Sequence, residues 1–330
     1  MMNLHKYYYK DYFSGIDFSY ITKKEMIEEK KKQRKELESQ NDPVTRNVTI
    51  PNLDREVRRL GDEIEKITNS NEKSISDRNK VLTANTYTKE ILKNCNPPRL
   101  YKDNEEQTEP IELKIQYPGL VTGIGIDHET KTKGEFKLGV HFDWTYGMPV
   151  VYGSSVKGVL RSWFKDIYLH GDGNYYEECG KIEYGDLMMD IFEGAYDRDI
   201  EAEKKKYEDN KWEDKIKDPN NRIYKKHKSI YERDIFFDAV IVAPDNKGRI
   251  LCSDSITPHV DNPLKNPVPI TFLKIAPGCT LEFRFKLTDT EMGNKKLSAK
   301  DKLALFKEIL TTVGIGAKTN VGYGQLSIAQ

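Results

Sequence analysis

Apolar residues alternate with polar ones from residue 111 onward, and the alternation predicts the first strand of a folded domain. Ile111, Leu113 and Ile115 are each separated by one polar residue, and a Pro-Gly turn follows them. A period of two residues is typical of a strand with one buried face. A second extended segment is predicted over residues 136–144.

The spacing becomes that of a helix after residue 152. Apolar residues recur there at intervals of three and four, as on the buried face of an amphipathic helix. They are Val156, Val159, Leu160, Trp163 and Phe164. Ser154 or Ser155 is the predicted N-cap, because a serine oxygen can accept a hydrogen bond from the first N–H groups of a helix.

Two cations lie on the opposite face of this helix, near its start. Lys157 and Arg161 are four residues apart, so they project from the same side. Two cations beside the N–H groups of a helix N-terminus are suited to binding a phosphate. The alternative is that both residues only keep a surface helix soluble.

The remaining apolar pattern predicts further strands and one more helix. Residues 236–242 are predicted to form a buried strand, and residues 271–287 two strands around a Pro-Gly turn. A helix is predicted from Ser298, which stands in capping-box spacing with Asp301. A last strand is predicted over residues 325–328.

A loop with four glycines separates this helix from the last strand. Gly lacks a Cβ, so its backbone can approach a ligand closely, and successive N–H groups can form an anion-binding concavity. Ala317 stands where a Walker loop has a glycine, and Thr319 where a dinucleotide loop has glycine or alanine, so nucleotide hydrolysis is not predicted. The alternative is a tight connection that serves packing alone.

The amino-terminal part differs in character and is predicted to be a largely helical extension over residues 1–110, ahead of a domain at 111–330. Residues 20–102 are charged and poor in glycine. A helix with Asn52 as cap is predicted to carry one apolar stripe that needs a partner surface: Leu53, Val57, Leu60, Ile64 and Ile67. The run 23–38 is interpreted as a solvated helix or disordered arm, with a nucleic-acid-binding arm as the alternative.

A second charged segment, at about 197–233, is predicted to be an insertion. Its second half is locally basic through Arg222, Lys225, Lys226, Lys228 and Arg233. Aromatic residues lie among these charges and could stack on bases. A mobile surface loop is an equally good interpretation.

Composition restricts the class of protein. The 330 residues are 37% hydrophobic and 32% charged, with 53 basic and 53 acidic side chains, so any nucleic-acid face must be local. The four cysteines are scattered without a Cys-x-x-Cys pair, so neither a metal site nor a disulfide framework is predicted. No signal-peptide core or membrane-length apolar run is found, and we expect a cytoplasmic protein with no cofactor.

The predicted order of strand, helix, strands, helix, glycine loop and strand is an α+β, ferredoxin-like (RNA-recognition-like) plan with long insertions. Three separated motifs, at residues 149–161, 234–239 and 314–324, resemble the RAMP superfamily of CRISPR proteins. The segments 254–259 and 267–270 are most similar to the sixth-subunit family of type III-B Cmr complexes.

This resemblance implies a non-catalytic structural subunit of an RNA-guided antiviral effector complex. The implied partners are guide (CRISPR) RNA, which it would grip near the 3′ end, target RNA, and other Cmr subunits, above all the backbone RAMP subunits; no membrane is implied. The predicted RNA-binding residues are Ser154, Ser155, Lys157, Arg161, Gly314, Gly316, Lys318, Thr319, Asn320, Gly322 and Gly324.

Two other functions remain open at this stage. Some RAMP relatives cut RNA, and His128, between two acidic residues, is the candidate general base of a guide-processing endoribonuclease. His259, near Asp254 and Asp261, imitates a metal cluster but fits a proline-rich turn better. A stand-alone RNA binder is the third possibility, and the zero net charge speaks against strong independent affinity.

Overall fold

The computed structural model describes residues 3–39, 42–97, 109–123, 132–197, 225–257 and 269–329, and it shows a mixed helix-and-sheet protein. The helices are α1 (Leu4–Lys6), α2 (Ser19–Glu38), α3 (Ile50–Leu82), α4 (Lys89–Cys95), α5 (Gly153–His170), α6 (Tyr175–Glu178), α7 (Tyr184–Met188) and α8 (Ala299–Val313). Single turns of π-helix lie at Tyr7–Asp11, Thr45–Thr49 and Met189–Glu193, and a 3₁₀ turn lies at Thr319–Val321.

Fifteen short strands complete the described structure. They are β1 (Ile111–Ile115), β2 (Lys137–Leu138), β3 (His141–Phe142), β4 (Pro149–Val151), β5 (Ala195–Asp197), β6 (Lys225–His227), β7 (Ile235–Phe236), β8 (Ala239–Ala243), β9 (Leu251–Ile256), β10 (Ile270–Ile275), β11 (Thr280–Phe283), β12 (Phe285–Lys286), β13 (Thr290–Met292), β14 (Lys295–Leu297) and β15 (Leu326–Ile328).

The chain forms two compact units, and each takes residues from both sides of residue 110. The first unit contains residues 1–84, 125–138 and 251–273; the second contains residues 85–124, 139–250 and 274–330. The predicted division into domains at 1–110 and 111–330 stays a prediction. No helix in the described ranges is long and apolar enough to cross a bilayer.

The first unit is dominated by the hairpin of α2 and α3. Lys23 pairs with Glu63 at 2.6 Å and Arg34 pairs with Asp54 at 2.8 Å, so the two helices run antiparallel. The predicted apolar stripe of α3 lies half-buried in this unit, with Leu60 only 4% exposed. Much of the partner surface that the stripe needs is therefore supplied by this chain's own α2.

The cap predicted at Asn52 is wrong. A π-helical turn, Thr45–Thr49, runs directly into α3, so Asn52 lies inside continuous helix and its side chain caps nothing. The carboxylate of Asp42 accepts hydrogen bonds from the backbone N and the Oγ1 of Thr45, both at 2.8 Å. The helical segment therefore begins about ten residues earlier than the apolar stripe indicates.

A six-stranded antiparallel sheet forms the centre of the second unit, in the order β15-β1-β11-β8-β4-β3. The strand predicted to run from Ile111 to the Pro118-Gly119 turn is found as β1, whose side chains alternate between buried and exposed, although it ends at Ile115. The mixed class is also confirmed. The ferredoxin-like plan is met in part: β1, α5, β8, β11, α8 and β15 follow in its order, and the β3–β4 hairpin is an addition before the first helix.

Helices α5 and α8 pack against each other beside this sheet. The predicted capping box of α8 is confirmed, since Asp301 N donates to Ser298 Oγ at 3.1 Å and Ser298 N donates to Asp301 Oδ2 at 3.2 Å. In α5, Val156, Leu160 and Phe164 are buried, but Trp163 is 46% exposed. Its assignment to the buried face was therefore wrong.

Candidate nucleic-acid interface

The start of α5 is held by a side chain from the short connection between β7 and β8. Gly153 N donates a hydrogen bond to Asp238 Oδ1 at 2.7 Å, and a carboxylate at this position also stabilises the helix dipole. The N-cap predicted at Ser154 or Ser155 is wrong, because the helix already begins at Gly153 and both serines are exposed residues of its first turn. Asp238 comes 85 residues later in the chain, which is why local spacing missed it.

Gly153 itself is needed for the close approach of two segments. A Cβ at this position would stand 2.3 Å from the carbonyl oxygen of Phe236, a distance at which the backbone would have to shift. The first turn of α5 therefore lies directly on the chain that joins β7 to β8. This contact fixes one wall of a cleft.

The cleft has a volume of roughly 370 Å³ and is open to solvent. It is lined by Gly153, Ser154, Lys157, Ile230, Arg233, Asp234, Ile235 and Phe236. Lys157 Nζ lies 5.7 Å from the centre of the Phe236 ring, at cation–π distance. Hydrophobic and cationic groups thus face the same space.

Two cations, Lys157 and Arg233, line this cleft, and Arg161 lies one helical turn beyond Lys157. Burial, and then the neighbouring charge of Arg161, lower the pKa of Lys157, with Arg233 contributing in the same direction. Arg161 pairs with Glu193 at 3.1 Å, but half of its side chain remains exposed. An anion bound beside Lys157 would favour the charged form of its side chain. The site is therefore suited to a phosphate.

The acidic residue of the cleft does not oppose this charge. Asp234 Oδ2 lies 2.6 Å from Lys302 Nζ, and the two side chains are 1% and 0% exposed. Thr288 N donates to the other oxygen of Asp234 at 2.7 Å. Because Lys302 neutralises Asp234 within the core, the surface of the cleft keeps its positive character.

Arg233 is a candidate binding residue that sequence reasoning did not connect to the helix. It was assigned to the charged insertion, whereas the structure places it beside Lys157 in the cleft. Its Nε donates to the carbonyl oxygen of Lys228 at 2.7 Å, and its stem packs on Gly194. No local pattern could have joined residues 157 and 233, because their contact depends on how the intervening chain folds back.

The glycine loop packs against neighbouring backbone more closely than phosphate binding alone requires. A Cβ on Gly324 would stand 1.8 Å from the oxygen of Ile315, and one on Gly316 would stand 2.4 Å from the oxygen of Val121. A Cβ on Gly314 would likewise meet the oxygen of Gly324 at 2.4 Å. Three of the four glycines therefore allow close approach of one backbone to another.

Much of the loop's hydrogen bonding is internal to the fold. Ile315 N donates to the oxygen of Gly324 at 2.9 Å, and Ala317 N donates to the oxygen of Val121 at 2.7 Å. Lys318 has φ +61°, and its side chain is exposed, as is that of Asn320, while Thr319 is half-buried. The exposed part of the loop is therefore its polar tip rather than its glycines.

The loop and the start of α5 lie in different parts of the sheet. β15 and β4 are separated by β1, β11 and β8, which at one strand spacing per step is about 19 Å. Because each of the four pairings between them is antiparallel, β15 and β4 run in the same direction. The loop precedes the beginning of β15 whereas α5 follows the end of β4, so an RNA that contacts both must cross the fold.

Several predicted features lie outside the described residues. These are His128 with its acidic neighbours, His259, Asp261, Arg222 and the insertion between residues 198 and 224. Within the described ranges, no group of three or more His, Cys, Asp or Glu side chains is placed to hold a metal ion.

An antiparallel sheet flanked by two helices, with a basic cleft at the start of the first helix, defines an α+β protein suited to binding a polyanion. The family model of the RAMP superfamily matches residues 112–327. The chain belongs to the RAMP superfamily, because the match covers well over half of it.

Two solved structures resemble the chain at low identity. A chain of the type III-B Cmr-beta complex bound to cognate target RNA is 15% identical, with 83% of this chain and 75% of that chain covered and a TM-score of 0.41. Cmr6 from Pyrococcus furiosus is 20% identical, with 67% and 98% covered and a TM-score of 0.31. No curated protein sequence matches the chain.

Proposed function

We propose that this protein is a non-catalytic, RNA-binding structural subunit of a type III-B CRISPR effector (Cmr) complex. It binds guide RNA near the 3′ end, contacts backbone RAMP subunits and contributes to antiviral defence in the cytoplasm. The observation that carries the proposal is the cleft of Lys157 and Arg233 at the start of α5. Membership of the RAMP superfamily and the motifs at 149–161 and 234–239 support it.

The cleft is suited to a ribose-phosphate chain for two reasons. Lys157, Arg161 and Arg233 supply point charges for phosphate oxygens, and Ile230, which is 63% exposed, extends an apolar surface beside them. RNA backbone contacts of this kind position a strand without reading its sequence. A subunit that must hold guides of any sequence needs that property.

The balance of charge favours a subunit over a stand-alone binder. The whole chain has 53 basic and 53 acidic side chains, so it offers no broad electrostatic attraction, and non-specific affinity grows with the number of phosphates neutralised. A local basic cleft gains affinity when neighbouring subunits hold the same RNA, because the second contact is then effectively intramolecular. We expect the full chain to co-purify with partner subunits and guide RNA.

The test is the double variant Lys157→Ala with Arg233→Ala in a filter-binding assay over a range of salt concentrations. Loss of two phosphate contacts should weaken RNA binding and make the slope of log K against log salt shallower by about 1.4 for a single strand. The matched control is Lys32→Ala with Lys35→Ala, two exposed cations of α2. Undiminished RNA binding by the cleft variant would overturn the proposal. A loss of RNA binding in the control variant alone would place the interface on α2.

The non-catalytic part of the proposal has its own assay. The purified full-length protein is incubated with repeat RNA, and we expect no cleavage products. Cleavage by the parent protein that disappears in His128→Ala would instead establish the endoribonuclease.

A further inference from the structure

Tyr117 is the most exposed of the large hydrophobic side chains in the described ranges, at 85%. It lies in the turn formed by residues 116–119, which follows β1 directly. Single exposed aromatic residues are common on protein surfaces. Two further properties of this turn set Tyr117 apart.

The first property is a fixed backbone beneath an exposed ring. Gln116 N donates to the oxygen of Gln325 and Gly119 N to the oxygen of Gln116, both at 2.9 Å, while Gly324 N donates to the oxygen of Gly119 at 2.8 Å. A Cβ on Gly119 would stand 2.6 Å from the oxygen of Ile275. The turn is thus closed by its own hydrogen bond and held against two neighbouring segments, while the side chain of Tyr117 is exposed.

The second property is the surface next to the ring. A Cβ on Gly322 would be in ordinary contact with Pro118, 3.7 Å from its Cδ, so the loop tip borders the turn. Val321, at 63%, is also exposed there, and the same tip presents the exposed Lys318. An aromatic ring, an apolar side chain and a cation therefore share one edge of the second unit, several strands away from the cleft.

We propose that Tyr117 is a stacking platform for a base of single-stranded RNA, with Lys318 contacting a phosphate of the same strand. This inference rests on the proposed RNA-binding function and adds a second contact to it. Aromatic stacking tolerates any sequence because every base has a π face. A tyrosine on a rigid turn loses little conformational entropy when a base stacks on it, since only two side-chain torsions are fixed.

The experiment uses the full-length protein and a short single-stranded RNA that carries the fluorescent base 2-aminopurine, whose emission falls on stacking. Tyr117→Ala should weaken binding about 5- to 150-fold and abolish the quenching. Tyr117→Trp should retain both affinity and quenching. Phe18→Ala, which removes an exposed aromatic side chain of the first unit, is the matched control and should change neither. Circular dichroism confirms that each variant is folded.

The outcomes separate this inference from the proposed function. Undiminished quenching and affinity in Tyr117→Ala, together with a loss in the cleft variant, would overturn the platform and leave the cleft intact. Absence of RNA binding by the parent protein, alone and with partner subunits, would overturn both. Ultraviolet cross-linking of the RNA to the peptide that contains Tyr117, lost on substitution by Ala, would support the platform directly.

Discussion

Replacing Lys302 by Met should destabilise the second unit strongly. The change keeps the length and packing of the side chain but removes the charge that faces Asp234 at 2.6 Å, where both side chains are at most 1% exposed. Asp234 would retain Thr288 N and Oγ1 as donors, at 2.7 and 3.1 Å. Those two bonds do not replace a cation, so an uncompensated carboxylate is left in the core.

The expected loss is about 3–5 kcal/mol of unfolding free energy, the usual cost of removing one partner of a buried pair. Urea denaturation followed by tryptophan fluorescence measures it, because Trp144 and Trp163 belong to the second unit. Far-UV circular dichroism recorded on the same samples shows whether one transition describes both probes.

Two further variants make the test specific. Lys300→Met changes an exposed lysine on the same helix and should have a much smaller effect, since exposed charges contribute little. Lys302→Met combined with Asp234→Asn should recover most of the loss, because no buried charge remains. A free energy of unfolding for Lys302→Met that matches that of Lys300→Met would refute the assignment of a buried ion pair to the floor of the cleft.

Two other predictions concern stability. Hydrogen bonds from Lys296 and from Ala299 N lower the pKa of Asp289 below its ordinary value of 3.8. The contribution of Asp289 to the free energy of unfolding is therefore present above that pH and is lost as pH falls through the lower folded-state pKa. Asp289→Asn should make the free energy of unfolding depend less on pH in acid, and an unchanged dependence would contradict this. Gly324→Ala should lower the free energy of unfolding far more than Gly322→Ala, because a Cβ at 324 would stand 1.8 Å from a carbonyl oxygen whereas one at 322 has 3.7 Å of space. Gly322→Ala introduces only left-handed strain of about 1–2 kcal/mol. Equal melting temperatures for the two variants would refute the packing role of the loop.

Local patterns predicted those elements whose signals are complete within a few residues. The alternation from Ile111 to Ile115 predicted where β1 begins and which of its faces is buried, and Ser298 with Asp301 predicted the capped start of α8. In both cases the hydrogen-bonding partners or the buried face lie inside the element itself. Such sequence signals are local, even though β1 itself is hydrogen-bonded to β11 and β15.

Long-range contacts account for the misassigned features. The cap of α5 comes from Asp238, in the connection between β7 and β8. Trp163 fits the helical period, yet its side chain is half-exposed. Arg233 enters the cleft only after the chain has folded back from β6. Periodicity reports which side chains share a face, whereas the pairing of distant segments decides what that face contacts.

The pairing of β5 with β6 has a consequence for how this protein can change. Asp197 lies opposite Lys225 in that pair, so the two ends of the segment between them are held one strand spacing apart. Lengthening a loop with fixed ends costs little, about 0.6 kcal/mol per doubling. An affinity handle inserted between Asp197 and Lys225 is therefore expected to leave Arg233 and the cleft in position.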